Sequence, residues 1–239
     1  TIETELMLAD LESLEKQIEN MARKAKSGDK ETKAQHEFMV RVKAALDEGQ
    51  MAYTVEVGKD EQKMFKMLQL LTAKPVLYVC NVAEADAADG NEWTAQVEEM
   101  AKARNASSIV ISAKIESEIA QLGSDEEKYE FLETLGLPEP GLNRIIRAGY
   151  ELLGLQTYFT SGPKETRAWT VRKGAKAPEA AGAIHTDFER GFIKAEVIAF
   201  DDFVTLGGEQ ASKEAGKMRQ EGKEYLVHDG DIVLFRFNV

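Results

Sequence analysis

Apolar residues in the first part of the chain recur at alternating spacings of four and three. They form the a and d stripe of a coiled coil, at Met7, Leu11, Leu14, Ile18, Met21 and Ala25. The pattern predicts a helix over 2–26, a break at 27–29 and a second helix over about 30–46. We expect a projecting antiparallel hairpin, although an ordinary pair of bundle helices fits the same pattern.

The hydrophobic pattern changes after Met51. A short helix is predicted over 60–71, and the apolar run at 76–80 follows it. Continuous apolarity indicates a strand buried on both faces, as in a parallel sheet. A helix over 91–104, a second such strand over 108–111 and a helix from about Lys114 continue this α/β rhythm. Because two parallel strands do not make a stable sheet alone, we expect that their neighbouring strands are missing from this sequence.

The last part of the chain is predicted to contain short β segments. Helices at about 125–135 and 140–153 come first, and Gly136-Leu137-Pro138 separates them. Strands then follow, with one helix over about 178–190 among them, and the strand ranges are 155–160, 166–171, 192–199 and 231–238. This mixture predicts a small α+β unit of the β-grasp kind.

Composition excludes several classes of protein. The 239 residues carry a net charge of −12, so the chain as a whole does not act as a polycation on nucleic acid. There is no membrane-length apolar run and no signal peptide, and the single cysteine, Cys80, fits a reducing compartment. We therefore expect a cytoplasmic protein without a membrane partner. The first residue is Thr1 rather than Met, which suggests a fragment, although processing also explains it.

Two loops that follow the predicted buried strands contain the clearest candidate chemistry. Ligands of open α/β sheets bind beyond the carboxyl ends of the strands, so both loops should lie at one edge. The candidate binding residues are Asn81, Val82, Glu84, Ser112, Ala113 and Lys114. The alternative is an ordinary loop with a helix-capping asparagine.

These loops match the two that hold the base in guanine-nucleotide switches, which read Asn-Lys-x-Asp and Ser-Ala-Lys. The aspartate there accepts protons from N1 and the exocyclic amine of guanine. Here Val82 replaces the lysine and Glu84 replaces the aspartate. Adenine has no proton on N1, so a carboxylate aimed at that atom would be repelled. The two replacements therefore argue against guanine as the base.

A basic cluster with an aromatic residue lies in the predicted β-grasp unit. Charge for phosphate and a ring for base stacking are what RNA binding uses. The candidate RNA-binding residues are Lys164, Arg167, Trp169, Arg172 and Lys173, with Lys176 beside them. The alternative is a solvated strand edge around a core tryptophan.

The other candidate residues predict no further site. His185 and His228 lack Cys or His neighbours at metal spacing, so no metal site is expected. We expect His185 to be structural, with contact to RNA as the alternative. Cys80 should be packed in its strand rather than nucleophilic. Asp201 and Asp202 are expected in a solvated turn.

Several long motifs carry a resemblance to a known family. They are Thr4-Glu5-Leu6-Met7-Leu8-Ala9-Asp10-Leu11-Glu12, Asn81-Val82-Ala83-Glu84 and the runs at 155–160, 162–169, 185–192 and 229–233. In these motifs the chain resembles the YchF-type Obg-like ATPases. The motifs are spread over essentially the whole chain. One departure is Val82, where the family usually has methionine.

The resemblance implies a P-loop ATPase of the translation-factor class that works with ATP and Mg²⁺ and contacts a ribosome or RNA. It implies an α/β partial P-loop domain at 59–153, an inserted helical hairpin at 1–58 and a β-grasp TGS domain at 154–239. The sequence contains no G-x-x-x-x-G-K-[ST] loop. We therefore expect no catalytic residues and no tightly bound nucleotide in this fragment. The alternatives are a non-catalytic RNA- or ribosome-binding module and a GTP-dependent switch of the same superfamily.

Overall fold

The computed structural model describes residues 2–25, 30–104 and 106–238. The chain forms two compact units, Thr1–Val76 and Leu77–Val239. The predicted break at 27–29 and the side chain of Ala25 lie outside the described residues.

The first unit is helical. It contains α1 (Ile2–Ala25), α2 (Lys30–Asp47), a 3₁₀ turn at Ala52–Thr54 and α3 (Gln62–Met67). The two long helices confirm the first two predicted ones. The third helix is shorter than the predicted 60–71, since Gln69 adopts a positive φ of 56° and ends the helical path.

The predicted apolar stripe of α1 faces α2. Leu14, Phe38 and Val42 are almost completely buried, and Met7, Leu11, Ile18 and Met21 pack around them. Leu68 and Leu70 close the same core from the segment after α2. Residues 59–76 therefore pack with the helical unit, whereas the sequence-based division put its boundary at 58/59.

A buried carboxylate fastens α1 to this later segment. Asp10 is 2% exposed and accepts hydrogen bonds from the backbone N–H groups of Leu71 and Thr72, at 2.7 and 2.8 Å, and from the Thr72 hydroxyl at 2.6 Å. The Thr72 hydroxyl in turn accepts the N–H of Ala52 at 3.1 Å. The sequence analysis did not single out Asp10, because its donors are far away along the chain.

The second unit begins with the expected α/β rhythm. Strands β1 and β2 pair in parallel, in the register Asn81 opposite Ile111. Helices α4, α5, α6 and α7 accompany them, and the bounds of these elements are β1 Leu77–Asn81, α4 Glu92–Ala103, β2 Ser107–Ile111, α5 Ala113–Ile119, α6 Asp125–Thr134 and α7 Gly141–Leu152.

The prediction that these two strands are buried on both faces is wrong. All residues of β1 and β2 are at least partly exposed, and Val79 is 46% exposed. Within the described residues the sheet has two strands, so each strand has a single neighbour. Apolar side chains on such a narrow sheet have too few elements to pack against.

The rest of the unit is a mixed five-stranded sheet in the order β4-β3-β7-β5-β6. Strands β3 and β7 are parallel, and the other neighbouring pairs are antiparallel. Tyr158, Val197 and Val233 on one face pack against Ala177 and Ala180 of α8. The bounds are β3 Leu155–Ser161, β4 Thr166–Arg172, α8 Ala177–Ile184, α9 Thr186–Arg190, β5 Phe192–Ile198, α10 Phe200–Leu206, α11 Glu209–Glu214, β6 Arg219–Glu221 and β7 Ile232–Phe237.

The predicted α+β architecture of this region is confirmed, but its helices differ from the prediction. The helix expected over 178–190 is divided into α8 and α9 at His185, which is extended and whose ring nitrogen accepts the N–H of Asp187 at 3.2 Å. His185 therefore makes a structural contact of the expected kind, at the start of α9. Asp201 and Asp202 lie in the first turn of α10 rather than in a loop, where acidic side chains favour the helix start. Helix α11 and the short strand β6 were also not predicted.

Among the described helices, none combines the length and the apolar character that crossing a membrane requires.

Candidate functional site

The two candidate loops meet at the carboxyl ends of β1 and β2. Asn81 is the last residue of β1, and its side-chain oxygen accepts the backbone N–H of Ala113 at 2.9 Å. One residue further on, the N–H of Val82 donates to the carbonyl of Ile111 at 2.8 Å. The parallel pairing thus extends beyond the strands and joins both loops.

The contact between Asn81 and Ala113 also bears on the helix-capping alternative. Ala113 is the first residue of α5, and its N–H has no partner within its own helix. Asn81 therefore satisfies a free helix N–H from the neighbouring strand. By contrast, α4 is capped locally by Asn91, which accepts the N–H groups of Trp93 and Thr94. The structure thus gives Asn81 a cross-loop role and Asn91 the local capping role.

Glu84 and Lys114 form the second contact between the loops. The Lys114 ammonium donates to the Glu84 carboxylate at 2.9 Å and lies 3.8 Å from Glu118. The hydrogen bond to Glu84 and the charges of both acids raise the pKa of Lys114 above its usual value. All three side chains remain substantially exposed. The Glu84 carboxylate, which the sequence analysis compared with the aspartate of guanine-nucleotide switches, is therefore paired with a cation.

Ser112 differs from its neighbours because it is buried. The residue is 3% exposed, and its hydroxyl has no hydrogen-bond partner among the described residues. Ala113 and Lys114 are exposed. All six predicted site residues therefore lie at the carboxyl ends of β1 and β2 or directly after them, with polar groups of both segments at one edge.

Two residues outside the predicted set, Glu116 and Arg144, connect the elements on either side of the loop at 112–114 to α7. Glu116, in the first turns of α5, accepts the N–H groups of Gly141 and Leu142 at 2.7 and 3.1 Å, at the start of α7. Arg144 of α7 donates to the carbonyl of Val110 in β2 at 2.6 Å. The sequence analysis missed both, because their partners are separated from them by 25 and 34 positions and no local motif marks them.

The predicted RNA-binding cluster does not form one surface. Side chains alternate between the faces of a strand, so Arg167 and Trp169 of β4 point to the side of Tyr158, while Arg172 points to the opposite side with Leu155. Lys164 and Lys173 are exposed in the loops before and after β4. Lys173 lies beside a cleft of about 710 Å³ between α7 and the face that carries Leu155.

Trp169 is engaged by its own neighbours. The guanidinium of Arg167 lies over its ring at 4.3 Å, and its indole N–H donates to the Thr160 hydroxyl at 2.9 Å. The ring is partly buried and packs against the core of the five-stranded sheet. This arrangement favours the alternative of a core tryptophan at a solvated strand edge.

The remaining titratable residues show structural contacts. Asp231, 4% exposed, accepts the Tyr225 hydroxyl at 2.8 Å and the His228 N–H at 2.9 Å. Cys80 is partly exposed and not fully packed as predicted, because its strand has a single neighbour in the two-stranded sheet. In the described ranges, no three His, Cys, Asp or Glu side chains are grouped in a way that could hold a metal ion.

Comparison with known proteins gives matches along the whole chain. The family model YchF-GTPase_C, described as "Protein of unknown function (DUF933)", matches residues 155–238. The "Ribosome-binding ATPase YchF" of Bacillus subtilis is 53% identical over an aligned stretch of 241 residues, which covers 100% of this chain and 66% of that protein. "Obg-like ATPase 1" of Danio rerio is 42% identical and covers 99% of this chain and 61% of its own length.

Solved structures agree with these relatives. The YchF GTPase of Schizosaccharomyces pombe superposes with a TM-score of 0.84 at 33% identity, over 98% of this chain and 64% of that one. A GTP binding protein from Pyrococcus horikoshii OT3, at 19% identity and a TM-score of 0.59, shares the fold. The chain spans 66% of the Bacillus subtilis relative and 65% of the "Ribosome-binding ATPase YchF" of Haemophilus influenzae. With about half of its residues identical to theirs along its entire length, this chain belongs to the YchF family.

Proposed function

We propose that the intact protein is a ribosome-associated P-loop protein that binds and hydrolyses ATP, and that the loops at 81–84 and 112–114 hold the adenine base. The observation that carries the proposal is the hydrogen bond from the N–H of Ala113 to the side-chain oxygen of Asn81. It fixes two loops at the strand ends, where open α/β sheets bind ligands. The printed name of the Bacillus subtilis relative, a ribosome-binding ATPase, agrees with the proposal.

The preference for adenine over guanine rests on positions 82 and 84. Val82 has neither the ammonium nor the long aliphatic stem of the lysine that guanine sites place there. Glu84 is one methylene longer than aspartate, and its carboxylate is paired with Lys114 at 2.9 Å. Guanine would have to compete with this ion pair for the acceptor that its N1 proton and amine require. Adenine needs only an acceptor for its amine, which Asn81 or a loop carbonyl can supply.

The contribution of this chain to catalysis is limited to the base. Triphosphate binding in P-loop proteins comes from a glycine-rich loop, its lysine and a bound Mg²⁺. The sequence of this chain contains no such loop. In the proposal, these residues bind and orient the base, and the groups that hold the phosphates and the metal belong to the remaining part of the intact protein.

We further infer that residues 154–239 form a TGS domain and that this domain, with the hairpin formed by α1 and α2, contacts the ribosome or its RNA. Support comes from the exposed basic side chains at Lys164, Arg167, Arg172 and Lys173. A non-catalytic ribosome-binding module is the competing function. It would show the same ribosome contacts without nucleotide hydrolysis.

The base preference can be tested in the intact protein with the double variant Val82→Lys and Glu84→Asp. The unchanged protein should bind ATP about 30- to 1,000-fold more tightly than GTP, since guanine donors buried without an acceptor cost roughly 2–4 kcal/mol. The double variant restores the groups that read guanine, so the ratio should shift towards GTP. Calorimetric titration with both nucleotides measures it.

A matched control is Glu98→Asp, which shortens a surface glutamate of α4 that pairs with Lys102. This control should leave the ratio of the two affinities unchanged. Equal binding of ATP and GTP by the unchanged protein, or a double variant with the original ratio, would show that this loop does not select the base.

A further inference from the structure

The loop at 112–114 runs directly into α5, and α5 makes contacts outside the candidate base site that hold the loop in place. Residues Ala113 and Lys114 begin α5, so the position of this loop depends on how α5 is fixed. Its apolar side chains Ile115 and Ile119 are buried in a small core. On another side, the Glu116 carboxylate accepts the Gly141 and Leu142 N–H groups at the start of α7.

This contact joins complementary groups. The first N–H groups of a helix lack partners within the helix, and the positive end of the helix dipole favours a negative charge there. Helix α7 begins after Pro140 without a side-chain cap of its own. Glu116 therefore supplies from α5 the acceptor that α7 lacks locally. Hydrogen bonds to a charged group are stronger than those between neutral groups.

The approach of the two helices is unusually close. Gly141 is buried, and a Cβ added there would lie 2.8 Å from Glu116 Oε1 and 3.0 Å from Ile111 Cγ2. A side chain at this position would displace the carboxylate or separate α7 from β2. Arg144, one turn later in α7, adds the hydrogen bond to the Val110 carbonyl. The start of α7 is thus attached both to β2 and to α5, on either side of Ser112.

We propose that Glu116 is a positioning residue for the base site: by attaching α5 to the start of α7, it keeps the Ala113 N–H in line with Asn81. This inference rests on the proposed function of the two loops. The Ala113 N–H lies at the N-terminus of α5, so a shift of α5 moves this group relative to Asn81. Glu116 acts through the loop backbone and does not itself contact the base.

The test is Glu116→Gln in the intact protein, with two Mg²⁺-bound ligands: ATP, and ribose 5′-triphosphate, which lacks the base. The amide oxygen of glutamine still accepts one N–H, but its NH₂ group faces the other and the negative charge is lost. We expect ATP to bind about tenfold more weakly, whereas the affinity for ribose 5′-triphosphate stays unchanged. Isothermal titration measures both.

Gly141→Ala tests the same contact without removing a charge. The added methyl group pushes the Glu116 carboxylate away from α7, so the weakening should again be confined to ATP. The matched control is Glu127→Gln in α6, since Glu127 also accepts two backbone N–H groups at a helix start, from Gly123 and Ser124. This control should leave both affinities unchanged.

The outcomes separate the inference from the proposed function. If the unchanged protein binds ribose 5′-triphosphate as tightly as ATP, there is no base site and both ideas are overturned. If it prefers ATP and Glu116→Gln retains that preference, only the positioning role is wrong. An equal loss for both ligands would indicate a general effect on folding and would likewise overturn the positioning role.

Discussion

Asp10 is a buried acidic residue of the helical unit. Its carboxylate is 2% exposed and accepts three hydrogen bonds, all from Leu71 and Thr72. A buried carboxylate is tolerated where its oxygens are fully hydrogen-bonded. The residue therefore joins α1 to a segment that follows α3, and it does so through polar contacts within an otherwise apolar core.

We predict that Asp10→Ala lowers the free energy of unfolding by about 2–4 kcal/mol, because two backbone N–H groups and a hydroxyl lose their acceptor inside the core. Urea denaturation followed by circular dichroism measures the change. Glu12→Gln on the same helix is the control, since Glu12 is exposed and forms a surface ion pair with Lys16, and it should change stability little. A variant Asp10→Ala as stable as the control would show that these hydrogen bonds do not hold the segment.

Strand β4 illustrates how the geometry of an element divides a cluster that is continuous in sequence. The alternation of side chains places Arg167 with the core tryptophan and Arg172 with the outer face, although the two arginines are close neighbours along the chain. A nucleic acid lying on the outer face would meet Arg172 and Lys173. One lying along the strand edge would meet Arg167.

We predict that the triple variant Arg167→Ala, Arg172→Ala and Lys173→Ala of the intact protein weakens ribosome binding and makes it less dependent on salt. Binding with fewer phosphate contacts releases fewer counterions, and the salt dependence follows the number released. Cosedimentation with ribosomes at several salt concentrations measures both effects. Comparing Arg167→Ala alone with the Arg172→Ala and Lys173→Ala pair then identifies the face that is used.

Lys213→Ala with Lys223→Ala serves as the control for charge alone, since both lysines are exposed elsewhere in the same unit. It should reduce binding less than the triple variant. Unchanged cosedimentation of the triple variant would eliminate the surface around β4 as a ribosome contact.

At the scale of the whole molecule, the chain combines a helical unit with a unit that contains the candidate base site and the five-stranded sheet. It spans 66% of its Bacillus subtilis relative, and its sequence contains no glycine-rich phosphate loop. The proposed base-reading edge would supply a few hydrogen bonds, whereas triphosphate affinity in P-loop proteins comes mainly from the phosphate loop and Mg²⁺.

We therefore predict that residues 1–239 alone neither hydrolyse ATP nor bind MgATP with micromolar affinity. Isothermal titration calorimetry and a phosphate-release assay test the two parts of the prediction. The intact protein, measured in parallel, serves as the positive control. Micromolar binding of MgATP by residues 1–239 would contradict the view that this chain reads only the base.

Local patterns in the sequence were sufficient for much of the fold. The stripe from Met7 to Met21 predicted α1, and the strand after Lys74-Pro75 was placed within one residue of β1. The order of the two predicted parallel strands indicated that the loops after them would lie at one edge, and in the structure Asn81 and Ala113 meet there. Helix periodicity, strand apolarity and the parallel arrangement of adjacent strands depend on short-range chemistry, which a sequence displays directly.

The tertiary structure decided the contacts that join distant segments. The hydrogen bonds of Asp10 to Leu71 and Thr72, and those of Glu116 to Gly141 and Leu142, link positions that no local pattern connects. Burial was decided in the same way, since the apolar run of β1 remained partly exposed on a two-stranded sheet. A sequence specifies which groups can form hydrogen bonds or be buried, but the partner of each group depends on which elements the fold places beside it.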